Sequence, residues 1–109
     1  MRPPNPARLR NAQWRAELAG AGIQLTDHAC RRMAEMGVRP EQLRRIVVDG
    51  SSWPQRDAQG EDGAVRHWHP DTPDWAALTA ADVPGLVITV VFRHASSEGR
   101  YERDGRRRR

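Results

Sequence analysis

Lysine is absent from this chain of 109 residues, and all 18 basic side chains are arginine. That excludes a lysine Schiff base and a P-loop lysine, and it makes every cationic contact a planar guanidinium suited to phosphate. The single cysteine, Cys30, excludes an internal disulfide and a thiolate zinc cluster, and nothing argues for an oxidising compartment. No apolar run nears the ~18 residues of a membrane span. The longest, "LVITVVF" at 86–92, has strand length. The opening "MRPPNPARLR" lacks the apolar stretch of a secretory signal, so the expected location is cytoplasmic, with no membrane partner. Nucleophile motifs and Gly-rich phosphate loops are missing too; the glycines read as turns and caps.

What is present is the composition of one globular domain with a modest core: 38% hydrophobic against 29% charged residues. The net charge of +4 is unevenly placed. The tail "RYERDGRRRR" (100–109) sets six Arg against Glu102 and Asp104, and residues 1–16 hold four Arg and no acid, so the middle is net acidic. Basic arms on a near-neutral body suit a phosphate backbone or an acidic partner, although a merely solvated tail has the same composition. The expected division is a flexible lead over 1–6, a single domain over 7–104 and a basic tail over 105–109.

The hydrophobic period predicts helices first and strands later. "ARLRNAQWRAELAGAG" reads as a helix with Leu9, Trp14, Leu18 and Ala19 on its apolar stripe, stopped by Gly20 and Gly22. "IQLT" reads as an edge strand or extended entry. Thr26 or Asp27 caps a helix over 27–36, with Ala29, Met33 and Met36 inward, Cys30 at the margin, and His28, Arg31, Arg32 and Glu35 opposite. Gly37 ends it. Pro40 and Glu41 open a third helix that buries Leu43, Ile46 and Val47 and stops at Gly50. Then "SWPQRD" (52–57) and "AVRHWH" (64–69) read as strands around a Gly/Asp turn, the first an edge because of Pro54. Thr72, Pro73 and Asp74 read as the start of a turn or two of helix, "LVITVVFR" (86–93) as a central strand, and "RYERD" as a last strand. The expected fold class is α+β: two to three N-terminal helices on a three- to four-stranded antiparallel sheet.

The stretch "LTDHACRRMAEMGVRPEQLRRIVVDG" resembles a family of small bacterial and phage domains of unassigned function. Their opening runs hydrophobic-Thr-x-His-Ala-x-x-Arg-Met, followed by Gly-Ile/Val and a second helix. Thr26, His28, Ala29, Arg32, Met33, Gly37, Val38, Leu43, Ile46 and Val47 match in order, and "LVITVVF" resembles the family's closing strand. The helix–helix–sheet order is similar to the RelE/ParE toxin superfamily. That resemblance implies a toxin-type ribonuclease acting on RNA, ribosome-bound or free, with a cognate antitoxin or a host protein as partner. RelE-type toxins carry several Lys and Arg on the sheet and a C-terminal aromatic, whereas this chain places only Arg56, Arg66 and Arg93 on its strands.

Metal-independent RNA cleavage needs a base for the 2′-hydroxyl, an acid for the leaving oxygen and cations for the phosphorane. His28 and Arg32, four apart on one helix, are the first candidates, with His67 and Tyr101 in support. Arg31, Arg56, Arg66, Arg93 and Arg100 are the candidate nucleic-acid contacts. The bland alternatives are a helix-start histidine bonded to a neighbouring carbonyl, and an arginine clamping a sheet edge or a carboxylate. His67 and His69 share one strand face, a spacing that can hold a metal, but no carboxylate spacing supports it, so neither metal nor cofactor is expected. Trp68, on the other face, reads as a core residue or a base-stacking platform. Two further functions fit the sequence. "RRMAEMGVRPEQLRRIV" scans as a helix-turn-helix offering Gln42, Arg44 and Arg45 to a DNA groove. The other is a non-catalytic phage or host interaction protein.

Overall fold

The computed structural model describes residues 5–56 and 62–92. Within them the chain is α+β, with three helices and a five-stranded mixed sheet. Helix α1 spans Pro6–Ala19 and is capped by Asn5, whose side chain accepts from the Ala7 amide at 2.8 Å. Pro6 therefore opens the helix rather than closing a lead. The expected apolar stripe is not buried: Leu18 is, Trp14 is half-buried, but Leu9 is 57% exposed and Ala19 faces solvent. The reason is position, since α1 meets the body mainly at strand β1 (Gln24–Leu25) and helix α3, leaving most of its surface to water.

Helix α2 (Asp27–Met36) has the expected bounds. The Thr26 hydroxyl caps it, and Gly37, at φ +74, takes the left-handed position that only glycine occupies without strain. Ala29, Cys30 and Met33 are fully buried, with Met36 half-buried. Helix α3 (Pro40–Arg44) runs into a π-turn over Arg45–Asp49, and Leu43 and Ile46 enter the core. Each fully buried Leu, Ile or Met contributes about 1.5–3 kcal/mol by leaving water. Gly50 ends the turn because a Cβ there would collide with the backbone carbonyl oxygens of Ile46 and Trp68.

The strands are β2 (Ser51–Arg56), β3 (Asp62–Trp68), β4 (Trp75–Ala80) and β5 (Leu86–Phe92). Their order is β1-β5-β4-β3-β2; β1 runs parallel to β5 and the other pairs are antiparallel. The expectation of three or four antiparallel strands thus falls short by β4 and by the parallel β1. The helix expected from Thr72 is absent: a turn, in which the Thr72 carbonyl accepts from the Trp75 amide at 3.3 Å, leads straight into β4. "WAALTA" carries three alanines, which are poor strand formers, so its alternation was masked. The predicted strand "RYERD" and the basic tail lie outside the described residues.

Val87 and Val90 both join the core although three residues apart. The register explains it: Leu78 pairs with Thr89 but Thr79 with Val87, so Ile88 is an extra residue in β5. Such a bulge reverses which backbone groups point outward. Before it, Gly85 and Val87 offer their carbonyls to the amides of Gln24 and Thr26; after it, Ile88 and Val90 point to the same side.

Candidate functional site

The two-residue β1 covers only the start of the outer edge of β5. The remainder is closed by side chains of "TDHACRR". The Thr26 hydroxyl donates to the Ile88 carbonyl at 2.9 Å while accepting from the Ala29 amide at 3.0 Å. One turn later, Arg32 Nε donates to the Val90 carbonyl at 3.4 Å and Nη1 to Glu35 at 3.0 Å. Arg32 thus clamps both a sheet edge and a carboxylate, and two of its five N–H donors are spent on the fold. Asp27 accepts from Arg15 Nη2 at 2.8 Å, and Ala29 and Cys30 are sealed in the core. Burial pushes the Cys30 thiol up from its ordinary value, so it is neutral near pH 7.

His28 has no such task. It is exposed, and among the described residues its ring makes no hydrogen bond, including the carbonyl bond expected of a structural helix-start histidine. Arg31 is likewise exposed, one turn on from Asp27.

Beside this helix start lies a cleft of about 570 Å³ lined by Arg8, Asn11, Ala12, Arg15 and Asp27. The first four come from one face of α1, at the i, i+3, i+4, i+7 spacing of helical neighbours. Arg15 is pinned: Nε and Nη2 donate to the Leu25 carbonyl at 3.2 and 3.0 Å. The hydrogen bond to Asp27 raises its already high pKa. Arg10, stacked 4.8 Å above Trp14, donates from Nε and Nη2 to Asn11 Oδ1. Asn11 therefore keeps its amide donors. Sequence reasoning missed this group; its only trace was the acid-free run of arginines before residue 17.

The other candidates do not converge on His28. His67 lies on the helix-facing side of the sheet, opposite Ala77, and its Nε2 hydrogen-bonds Thr79 Oγ1 at 2.8 Å. Desolvation lowers its pKa, and its buried Nδ1 finds no partner among the described residues. Arg66 is the next residue, so it is on the opposite face, between Trp53 and Leu78, and is buried to 6% exposure. Arg66 and His67 thus flank the sheet instead of sharing a site. His69 accepts from the Asp71 amide at 3.0 Å, and Asp71 pairs with Arg45 at 2.8 Å. Trp68 is outside the core cluster, on the Arg66 face, and its Nε1 donates to the Pro73 carbonyl at 3.0 Å. Arg93, Arg100 and Tyr101 lie outside the described residues, as does the side chain of Arg56. Among the described residues no group of three or more His, Cys, Asp or Glu is placed to hold a metal ion, and no helix is long and apolar enough to cross a membrane.

Compared with family models, with curated proteins and with solved structures, the chain has no match in any of the three. The functional reading therefore stands on this geometry.

Proposed function

We propose that this chain is a RelE-like, toxin-type protein that acts on RNA, with His28 as its proton-transfer group. One observation carries the reading: in "TDHACRR" the side chains of Thr26, Asp27, Ala29, Cys30 and Arg32 are each engaged by the fold, while His28 is exposed and unengaged among the described residues. An imidazole exposed to solvent is free to take or give a proton at a bound substrate. In the reaction, the imidazole accepts the 2′-hydroxyl proton, the 2′ oxygen bonds to phosphorus and the P–O5′ bond breaks. The 5′ oxygen takes its proton from solvent, which leaves a 2′,3′-cyclic phosphate and a 5′-hydroxyl.

The helix-turn-helix reading has less support. Gln42 Oε1 accepts from the Arg39 amide at 2.9 Å, Arg45 is paired with Asp71, and only five residues of α-helix precede the π-turn.

The test is induced expression of wild type and His28→Ala, with growth and total RNA followed together. Wild type arrests growth and fragments RNA; His28→Ala does neither and keeps the wild-type unfolding midpoint, because an exposed, unbonded side chain changes stability by no more than about 0.5 kcal/mol. Intact RNA with wild type, or equal cleavage by His28→Ala, refutes the reading. Arg32→Ala is the poorer test, since it also opens the edge of β5.

A further inference from the structure

The cleft between α1 and the start of α2 presents donors almost exclusively. Arg8 is exposed, and among the described residues its guanidinium has no partner. Asn11 offers its Nδ2 group, because Oδ1 already accepts twice from Arg10. Arg15 is held rigidly by three hydrogen bonds through Nε and Nη2, which leaves Nη1 available. The single carboxylate on the wall, Asp27, is 91% exposed, and one of its oxygens is engaged by Arg15. A fixed guanidinium, a mobile one and an amide donor around one space match the oxygens of a phosphodiester. At that exposure solvent screens the Asp27 carboxylate, so it repels a phosphodiester in the cleft only weakly. His28 is the residue after Asp27, which lines the cleft, and both His28 and Arg31, one helical turn further, are exposed.

We propose that this cleft binds a backbone phosphate of single-stranded RNA through Arg8, Asn11 and Arg15, and so holds a neighbouring phosphodiester beside His28. The assignment rests on the RNA-acting reading above and gives it a binding subsite. Arg8 and Asn11 are contact residues; Arg15 both contacts the phosphate and fixes the cleft wall.

The experiment is fluorescence anisotropy of a labelled single-stranded 2′-O-methyl oligoribonucleotide, which binds but lacks the hydroxyl needed for cleavage. The full chain is titrated at several salt concentrations. The variants are Arg8→Ala, Asn11→Ala and, as a charge-matched control, Arg39→Ala, exposed just before α3 and outside the cleft lining. Arg8→Ala weakens binding roughly five- to tenfold at low salt and flattens the salt slope by about 0.7, the loss of one phosphate contact on a single strand. Asn11→Ala weakens binding with the slope kept, and Arg39→Ala changes it less than twofold. Inorganic phosphate at the same phosphate concentration does not displace the strand. If wild type binds and Arg8→Ala equals Arg39→Ala, the cleft assignment falls while the RNA-acting reading stands. Displacement by inorganic phosphate reduces the cleft to a general anion site and also overturns the proposal. Absence of wild-type binding removes both.

Discussion

Replacing Thr26 with alanine tests whether this motif residue works as a double hydrogen-bonding hinge. Its hydroxyl accepts from the Ala29 amide and donates to the Ile88 carbonyl 62 residues away. Loss of an N-cap costs about 1 kcal/mol. The Ile88 carbonyl sits at the bulge, at the part-buried edge that β1 does not reach, so water recovers some of its hydrogen bonding. That second loss adds about 0.5–1.5 kcal/mol. Together Thr26→Ala costs about 2 kcal/mol, or ~8–16 °C in Tm for a domain of this size. Thr26→Ser keeps the hydroxyl and loses less than half as much. Equilibrium urea unfolding followed by tryptophan fluorescence gives both values. A Thr26→Ala variant within about 0.5 kcal/mol of wild type, or a serine variant as unstable as the alanine one, refutes the double role.

Two further outcomes follow from the core. The folded state holds the His67 pKa below its ordinary value by burial, so the unfolded chain binds the extra proton first. Stability is therefore full above the ordinary imidazole pKa of ~6.5 and falls as the pH drops through it toward the lower folded value. His67→Gln should flatten the urea midpoint between pH 8 and pH 5.5. Gly50→Ala forces a Cβ onto two backbone oxygens at an ordinary negative φ, so its cost is steric and should reach about 3 kcal/mol or more. Gly37→Ala meets open space at φ +74 and should cost only about 1 kcal/mol; thermal unfolding of the pair separates the two causes.

Local signals in the chain determined much of this protein. Thr26 and Gly37 delimit α2 because a cap and a left-handed glycine act within a few residues of themselves. Leu43 and Ile46 announced a buried helical stripe, and "LVITVVF" a strand, because β-branched side chains fit a pleated, partly buried surface; the expected cover on both faces is not there, since only Val87 and Val90 of β5 are buried and Phe92 is 48% exposed. The strand β4 was hidden, since its alanines acquire a strand only from the neighbours β3 and β5 that hydrogen-bond it. The edge strand read in "IQLT" is present as β1, but its parallel pairing with β5 was hidden, because two residues show no period and carry no sign of their partner.

The site divided in the same way. The sequence alone picked out His28 and Arg32 as a helical pair, but spacing is blind to what lies beneath the helix. Only the tertiary structure decided that Arg32 is occupied by the Val90 carbonyl, through a bulge 56 residues downstream at Ile88, while His28 is left to solvent. Alternation along a strand already separates Arg66 from His67; which of them meets the helices depends on the face that α2 and the π-turn cover. The cleft of Arg8, Asn11 and Arg15 needs α1 docked beside the start of α2, a contact that no local pattern encodes.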